Sequence, residues 1–297
     1  MFLKCGTRTI DLARPVVMGV LNVTPDSFSD GGRFADLGGA VEHGLRMAEQ
    51  GAAIIDVGGE STRPGASPVD ADDEIRRVIP VIKKLRTRTD AVISVDTSKP
   101  QVMRAAVSAG AELINDVRAL TEVGALEALA ATQCAVCLMH MKGNPQNMQT
   151  LPHYDDVVGE VRLFLEERVR ACRAAGVGAD RIVIDPGFGF GKTLEHNLEL
   201  LRHLAELCLA AGEDLPDAGL PIMVGLSRKS TVGHLTGRPA GERVYGSIAL
   251  ALMAVLNGAR IVRVHDVGPT MDALKVVSAV MWPTSGVGSR DAPSSRA

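Results

Sequence analysis

Val16-Val-Met-Gly-Val-Leu-Asn-Val-Thr-Pro-Asp-Ser-Phe-Ser-Asp-Gly-Gly32 changes character once, at Asn22. The residues before Asn22 are all apolar or glycine, the pattern of a parallel strand covered on both faces. Thr24-Pro25-Asp26 and Asp30-Gly31-Gly32 are turn formers that cannot extend a strand, and they bracket Ser27-Phe28-Ser29, an aromatic between two hydroxyls. A buried strand, a polar tip and a loop follow one another without a gap, and the same unit recurs along the chain.

Downstream, apolar runs start near 52, 91, 112, 134, 181, 221 and 260, and each ends in a polar tip. Helical periodicity fills the intervals: 39–50, a stretch with Ile75, Val78, Ile79, Ile82 and Leu85 on one face, a helix closing at Gly110, then 124–131, 155–175, 196–211, 241–256 and 269–280. Pro80 should kink or shorten the second of these, and Ser98 reads as the N-cap of the third, with Pro100 in its first turn. Upstream, 2–12 alternates around Gly6-Thr7 and predicts a short hairpin. Eight strand-then-helix units in about 250 residues is the arithmetic of a single-domain (β/α)8 TIM barrel over residues 1–282. A doubly wound open sheet is the alternative. Residues 283–297, rich in Ser, Gly, Pro and Arg, read as a disordered tail.

Composition agrees with this and excludes several roles. With 297 residues and 46% apolar content the chain can bury a full core. A net charge of -3 lacks the basic field that nucleic-acid binding needs. Five cysteines, an odd number, fit a reducing compartment better than a disulfide framework. Cys134 and Cys137, three apart in a strand, point to opposite faces and read as core rather than as a metal pair. There is no signal-peptide pattern and no apolar run of the ~20 residues a membrane span needs, so a cytoplasmic protein is expected.

In such a barrel the active site lies at the carboxyl ends of the strands. The tips there are Asn22, Thr62-Arg63, Asp96, Asn115, Met139-His140, Asp185, Ser227 with Lys229, and Arg263 with His265. Asp96 and Asp185 come from separate strands and would converge beside Asn115 and Lys229, giving a flat hydrogen-bonding frame for a small planar heterocycle. Asp56 and Asp116 are read more simply as caps. Arg263 and His265 share a strand face, and with Arg63 they could close over phosphate oxygens, while Asn22 offers a hard oxygen to magnesium. Gly187-Phe-Gly-Phe-Gly-Lys-Thr193 is not a nucleotide loop: Pro186 and Lys192 stand where GxxxxGK[ST] and GxGxxG each need glycine. Its glycines read instead as letting the loop approach a ligand closely, with Phe190 as a hydrophobic wall.

Taken together, the tip segments 21–32, 58–65, 94–97, 114–116, 185–192, 227–230 and 263–266 closely resemble the dihydropteroate synthase family over about residues 1–282. The resemblance implies a magnesium-dependent, homodimeric, cytoplasmic transferase. Such an enzyme joins 4-aminobenzoate to (7,8-dihydropterin-6-yl)methyl diphosphate, releases pyrophosphate and is inhibited by sulfonamides. It further implies that Asp96, Asn115, Met139, Asp185, Lys229 and Arg263 hold the pterin, with Asp96, Asp185, Lys229 and Arg263 as the catalytic set. Thr62, Arg63, Arg263 and His265 would engage diphosphate; Phe28, Arg63, Pro64, Phe190, Ser227 and Lys229 would frame the aminobenzoate; Asn22 would hold magnesium. A dissociative displacement is expected, with loops 24–33 and 60–66 closing to exclude water. The rival readings are a pterin-dependent methyltransferase and a non-catalytic pterin-binding barrel.

Overall fold

Eight parallel strands form one ring: β3 (Val16–Asn22), β4 (Ile54–Gly58), β5 (Val92–Asp96), β6 (Leu113–Asp116), β7 (Ala135–Met139), β8 (Ile182–Asp185), β9 (Met223–Val224) and β10 (Ile261–Val264). Neighbours pair in chain order from β3 to β8, and β10 lies between β9 and β3. The seam closes between β8 and the run into β9, where Ile184 N donates to Pro221 O at 3.1 Å and Ile184 bridges Ile222. That closure excludes the open sheet. The expected hairpin is present as antiparallel β1 (Phe2–Cys5) and β2 (Arg8–Asp11). A computed structural model describes residues 1–23, 32–61, 65–143, 148, 152–210 and 219–282. Residues 24–31, 62–64, 211–218 and the tail 283–297 lie outside them.

Strand parity explains both the core and the site. In β4, Ile55 and Val57 face outward into a cluster shared with the helices, whereas Ile54 faces inward. Because both faces are covered, the run shows no alternation in sequence. The inner face is apolar at its amino end, where Met18, Ile54, Val92 and Leu113 pack against Leu3, Cys5, Ile10 and Leu12 of the hairpin. Two residues further along, the same face turns polar, as Asp56 above Ile54 and Ser94 above Val92 show. The hairpin therefore seals an oily floor, and the polar mouth opens at the other end. Cys134 joins the outer cluster and Cys137 the inner one, as their spacing requires. Burial pushes the Cys172 thiol up to about 11 and that of Cys5 up to about 12, so both are inert core groups.

The helices are α1 (Gly32–Glu49), α2 (Ala71–Arg86), α3 (Pro100–Ala109), α4 (Ala125–Ala130), α5 (Val157–Ala174), α6 (Leu194–Arg202), α7 (Ser230–Thr236), α8 (Val244–Leu256) and α9 (Val267–Met281). Among the described residues, none is long and apolar enough to cross a membrane. Two local expectations are corrected, at α3 and α6, and of the two effects expected of Pro80 the shortening is absent. Helix α2 runs through Pro80 without being shortened, because the carbonyl that Pro80 leaves unbonded belongs to exposed Arg76. Lys99, not Ser98, occupies the N-cap of α3, since the Ser98 hydroxyl is drawn to Asp116 Oδ1. Helix α6 stops at Arg202 and gives way to a 3-10 turn over Leu204–Leu207, with the Leu201 carbonyl taken by Asn257 Nδ2 at 2.7 Å.

Candidate active site

The strand register puts the mouth residues at one level. Asn22 pairs with Gly58, Gly58 with Asp96 and Asp96 with Asn115, a row across four consecutive strands, while Met139 pairs with Asp185 on the next two. A side chain at Gly58 would stand between Asn22 and Asp96, since its Cβ would lie 3.8 Å from Asn22 Oδ1 and 3.6 Å from Asp96 Cβ. Glycine keeps that space open.

Asp56, one level below the row, is the residue that sequence reading missed. It lies mid-strand in β4 and caps no helix. Its Oδ1 accepts from Ser94 Oγ at 2.6 Å, and its Oδ2 accepts from Asn115 Nδ2 at 2.9 Å and from Arg263 Nε at 2.7 Å. Arg263 then reaches up with Nη2, 2.6 Å from Asp96 Oδ2. One guanidinium thus joins a buried carboxylate to a mouth carboxylate, and these two acids raise its own affinity for the proton. Burial pushes the Asp96 carboxyl up to about 7, with Arg263 pulling it down and Asp56, Glu74 and Asp116 adding to the rise. The signal for Asp56 was strand parity, since it shares the inward face with Gly58. Asp116 is not a helix cap either, since Gly124 holds the N-cap of α4; it accepts from Arg118 N and Leu120 N, each at 2.8 Å, and organises its own turn.

The opposite wall is built by β8 and the turn after β9. Asp185 Oδ1 accepts from Gly187 N at 2.7 Å, and burial raises its pKa against the pull of Lys229, the Gly187 N–H, Arg263 and Lys192. Lys229 donates Nζ to the Phe188 carbonyl and sits 4.5 Å from the Phe190 ring centroid. Burial lowers its pKa to about 8, opposed by Asp185 and Asp96 and reinforced by Arg263. Ser227 Oγ accepts from His265 N at 3.2 Å and lies 3.1 Å from His265 Nδ1. Phe190 packs with Met139, Val117 and Met148, forming the expected apolar wall.

The glycine-rich turn serves a purpose other than the one expected. A Cβ on Gly187 would fall 1.8 Å from His140 O, and one on Gly191 would fall 2.2 Å from Lys142 O. At these two positions the close approach is to the neighbouring loop's backbone, with φ of +71° and +64°. Lys192 points inside, with Nζ 2.8 Å from His140 Nδ1, 3.0 Å from Gly187 O and 3.1 Å from Phe190 O. Burial and that ammonium lower the His140 pKa to about 2, so its imidazole is neutral. This lysine organises the loop, which agrees with rejecting a nucleotide-binding motif.

What the site can take follows from its unmet bonds. Asn115 Oδ1 is buried and, among the described residues, finds no donor. Such an atom is costly to leave unmade, by about 1–3 kcal/mol, so it calls for a ligand N–H. Asn22 is a single neutral oxygen donor, and the described residues contain no cluster of three His, Cys, Asp or Glu suited to a metal. That donor set fits a magnesium ion borne by a substrate's phosphates rather than one caged by protein. Phe28, Thr62, Arg63 and Pro64 lie outside the described residues. The structure brings together Asp96, Asn115, Met139, Asp185, Phe190, Lys229 and Arg263, with Asn22, Ser227 and His265 at the rim.

A family model described as pterin binding enzyme matches residues 18–265. The dihydropteroate synthase of Escherichia coli strain K12 is 51% identical over 273 residues, covering 92% of this chain and 94% of that protein. Among solved structures, the dihydropteroate synthase of Xanthomonas albilineans with 4-aminobenzoic acid superposes with a TM-score of 0.87 at 53% identity, over 95% of this chain and 98% of that one. The Yersinia pestis dihydropteroate synthase in a sulfonamide drug complex does so with a TM-score of 0.87 at 50% identity, over 95% and 99%. The chain belongs to the dihydropteroate synthase family of pterin binding enzymes.

Proposed function

We infer that this chain transfers the (7,8-dihydropterin-6-yl)methyl group from its diphosphate to 4-aminobenzoate, forming 7,8-dihydropteroate and pyrophosphate. The observation that carries the reading is the buried Asn115 Oδ1, which finds no donor among the described residues and lies beside Asp96 in the strand register. Two carboxylates accept from the amino and ring N–H groups of a pterin, the amide completes the edge, and the ammonium donates to its carbonyl. Met139 and Arg263 bound the ring's faces. Arg263, engaged with Asp56 and Asp96, belongs first to this frame.

The reaction breaks the methylene C–O bond and forms a C–N bond, and the aniline nitrogen gives up a proton. An aniline is a weak nucleophile, so the useful strategy is to let C–O cleavage run ahead of attack. Positive charge then grows on the pterin methylene near Asp96 and Asp185, and negative charge grows on diphosphate near His265, Arg263, Thr62 and Arg63. Magnesium would add positive charge at the leaving group, with Asn22 holding it from the protein side. No side chain needs to attack. Phe190, Ser227 and Lys229, with Phe28, Arg63 and Pro64, frame the aminobenzoate. Sulfonamides, bound by the Yersinia pestis synthase, would occupy that same subsite.

Unpaired thiols at all five cysteines suit the cytoplasm. Homodimerisation has a surface to use. Helix α8 carries no charged residue, and its exposed Tyr245, Met253 and Leu256 recur at helical spacing. Helix α9, packed against it, exposes Val276, Val280 and Met281. An apolar face of this kind is normally covered. The deciding experiment for the activity is pyrophosphate release on adding the pterin diphosphate, magnesium and 4-aminobenzoate. Release that ignores aminobenzoate, or no release, would overturn the reading.

A further inference from the structure

Arg228 stands between two site residues, Ser227 and Lys229, yet its own side chain points away from the site. Its φ is +59°, a conformation that a residue with a Cβ adopts only when its surroundings enforce it. The enforcement is visible on every side. The guanidinium is bidentate on Asp266, with Nε 2.9 Å from Oδ2 and Nη2 on Oδ1. The backbone N–H donates to Ser247 Oγ at 2.9 Å, and the carbonyl accepts from Arg243 Nη1 at 2.9 Å. Arg243 also donates to Lys229 O at 3.3 Å. Asp266 follows His265, so the joint between the β9 and β10 tips has two rungs, Ser227 with His265 inside and Arg228 with Asp266 outside.

We propose that Arg228 is a positioning residue whose bidentate pair with Asp266 holds the turn after β9 in its strained form, aiming Ser227 at His265 and Lys229 at the Phe188 carbonyl and the Phe190 ring. The inference rests on the transferase reading of the site. Lys229 Nζ lies where Asp185, Asp96 and Arg263 all act on its charge. Burial is the main cause of its lowered proton affinity, with Asp185 and Asp96 opposing it and Arg263 adding to it, so letting the turn relax would carry the ammonium toward water and return that affinity toward an ordinary lysine's.

The test uses Arg228→Ala, Asp266→Asn, the double variant and Arg228→Lys in the full chain. Three readouts are needed: kcat and aminobenzoate KM from pyrophosphate release, melting temperature, and the pH midpoint of amine labelling at Lys229 by mass spectrometry. Each single variant should lose about tenfold to a hundredfold in kcat/KM, as a small misplacement does. The double variant should lose no more than the worse single, because the two residues act as one unit. Arg228→Lys should recover only part, since an ammonium cannot replace a bidentate fork. The labelling midpoint should rise from about 8. Losses that multiply in the double variant, or a lower melting temperature with unchanged kcat, KM and midpoint, would overturn the proposal. If the wild type releases no pyrophosphate while the variants still shift the Lys229 midpoint, the transferase reading fails and the positioning role stands. An unshifted midpoint in that case removes both.

Discussion

Arg263 places Nε 2.7 Å from Oδ2 of Asp56, a carboxylate with 0% of its surface exposed, beneath the row of residues that would meet a ligand. An ion pair so placed adds little net stability while intact, yet breaking it leaves a buried charge uncompensated. Asp56→Asn can keep the contacts by turning its oxygen to Arg263 and Asn115 and its amide to Ser94, so only charge is lost. Asp56→Ala loses the contacts as well. Denaturant unfolding should therefore show about 1–3 kcal/mol lost for the amide and about 3–5 kcal/mol for alanine. Equal losses would mean that charge alone holds Asp56 in place. In the amide variant the Asp96 carboxyl should titrate lower than about 7, because Asp56 is one of the charges raising it.

Lys229 carries a proton at neutral pH in a setting that disfavours it. Its folded pKa of about 8 lies below the ordinary lysine value of 10.5. Between those values the unfolded chain binds more protons, so stability rises with pH across that window and the penalty is fully present below about 8. Lys229→Met should therefore raise the melting temperature at pH 7, and the gain should fade as pH approaches 10.5. Turnover should fall sharply in the same variant, and wild-type turnover should decline above about pH 8 as the ammonium is lost. A methionine variant no more stable than wild type at pH 7 would contradict the burial argument.

Asp185 offers acceptors only, and Oδ1 is already engaged by Gly187 N. Asp185→Asn would turn amide donors toward either that N–H or the pterin. Calorimetry with a pterin ligand should show about 1–3 kcal/mol of lost affinity, roughly tenfold to a hundredfold in Kd. Unchanged affinity would remove Asp185 from the pterin frame.

These residues mark the limit of what sequence could reveal. Apolar runs covered on both faces, each broken by a polar tip, made the barrel and the ends of its strands legible, and parity alone placed Cys134 and Cys137 on opposite faces. Asp56 stayed hidden because its role depends on Asn115 from β6 and Arg263 from β10, and neither strand is local to it. Ser98 had the chemistry of a cap, but Asp116 competes for its hydroxyl. The loop glycines looked ligand-facing because nothing in 187–192 shows that His140 and Lys142 carbonyls crowd Gly187 and Gly191. What sequence conceals here is long-range competition for local groups.

Phe28 sits in a turn-rich segment with no periodicity to bury it, so an aromatic there calls for something to cover. As a cover for the aminobenzoate ring it should matter to kinetics and not to folding. Phe28→Ala should leave the melting temperature nearly unchanged and raise aminobenzoate KM about tenfold, the size of a partly exposed contact. A loss of several degrees with normal aminobenzoate kinetics would make it a structural residue.

The apolar stripe on α8 and α9 can be tested without touching the site. Met253 is 51% exposed and Val280 73% exposed within one chain, so a glutamate at either position meets water in the monomer and apolar surface in a dimer. Sedimentation should find the wild type as a dimer, and Met253→Glu and Val280→Glu should shift it toward monomer at the same concentration. Far-ultraviolet circular dichroism should stay unchanged, because neither side chain belongs to the buried core. Obligate interfaces resemble a domain core cut in half, so a charge near their centre should weaken association by more than one near the rim, and Val280 and Met253 can be ranked on that scale. A wild type that sediments as a monomer, or charged variants that remain dimeric, would show that the second copy does not cover this face.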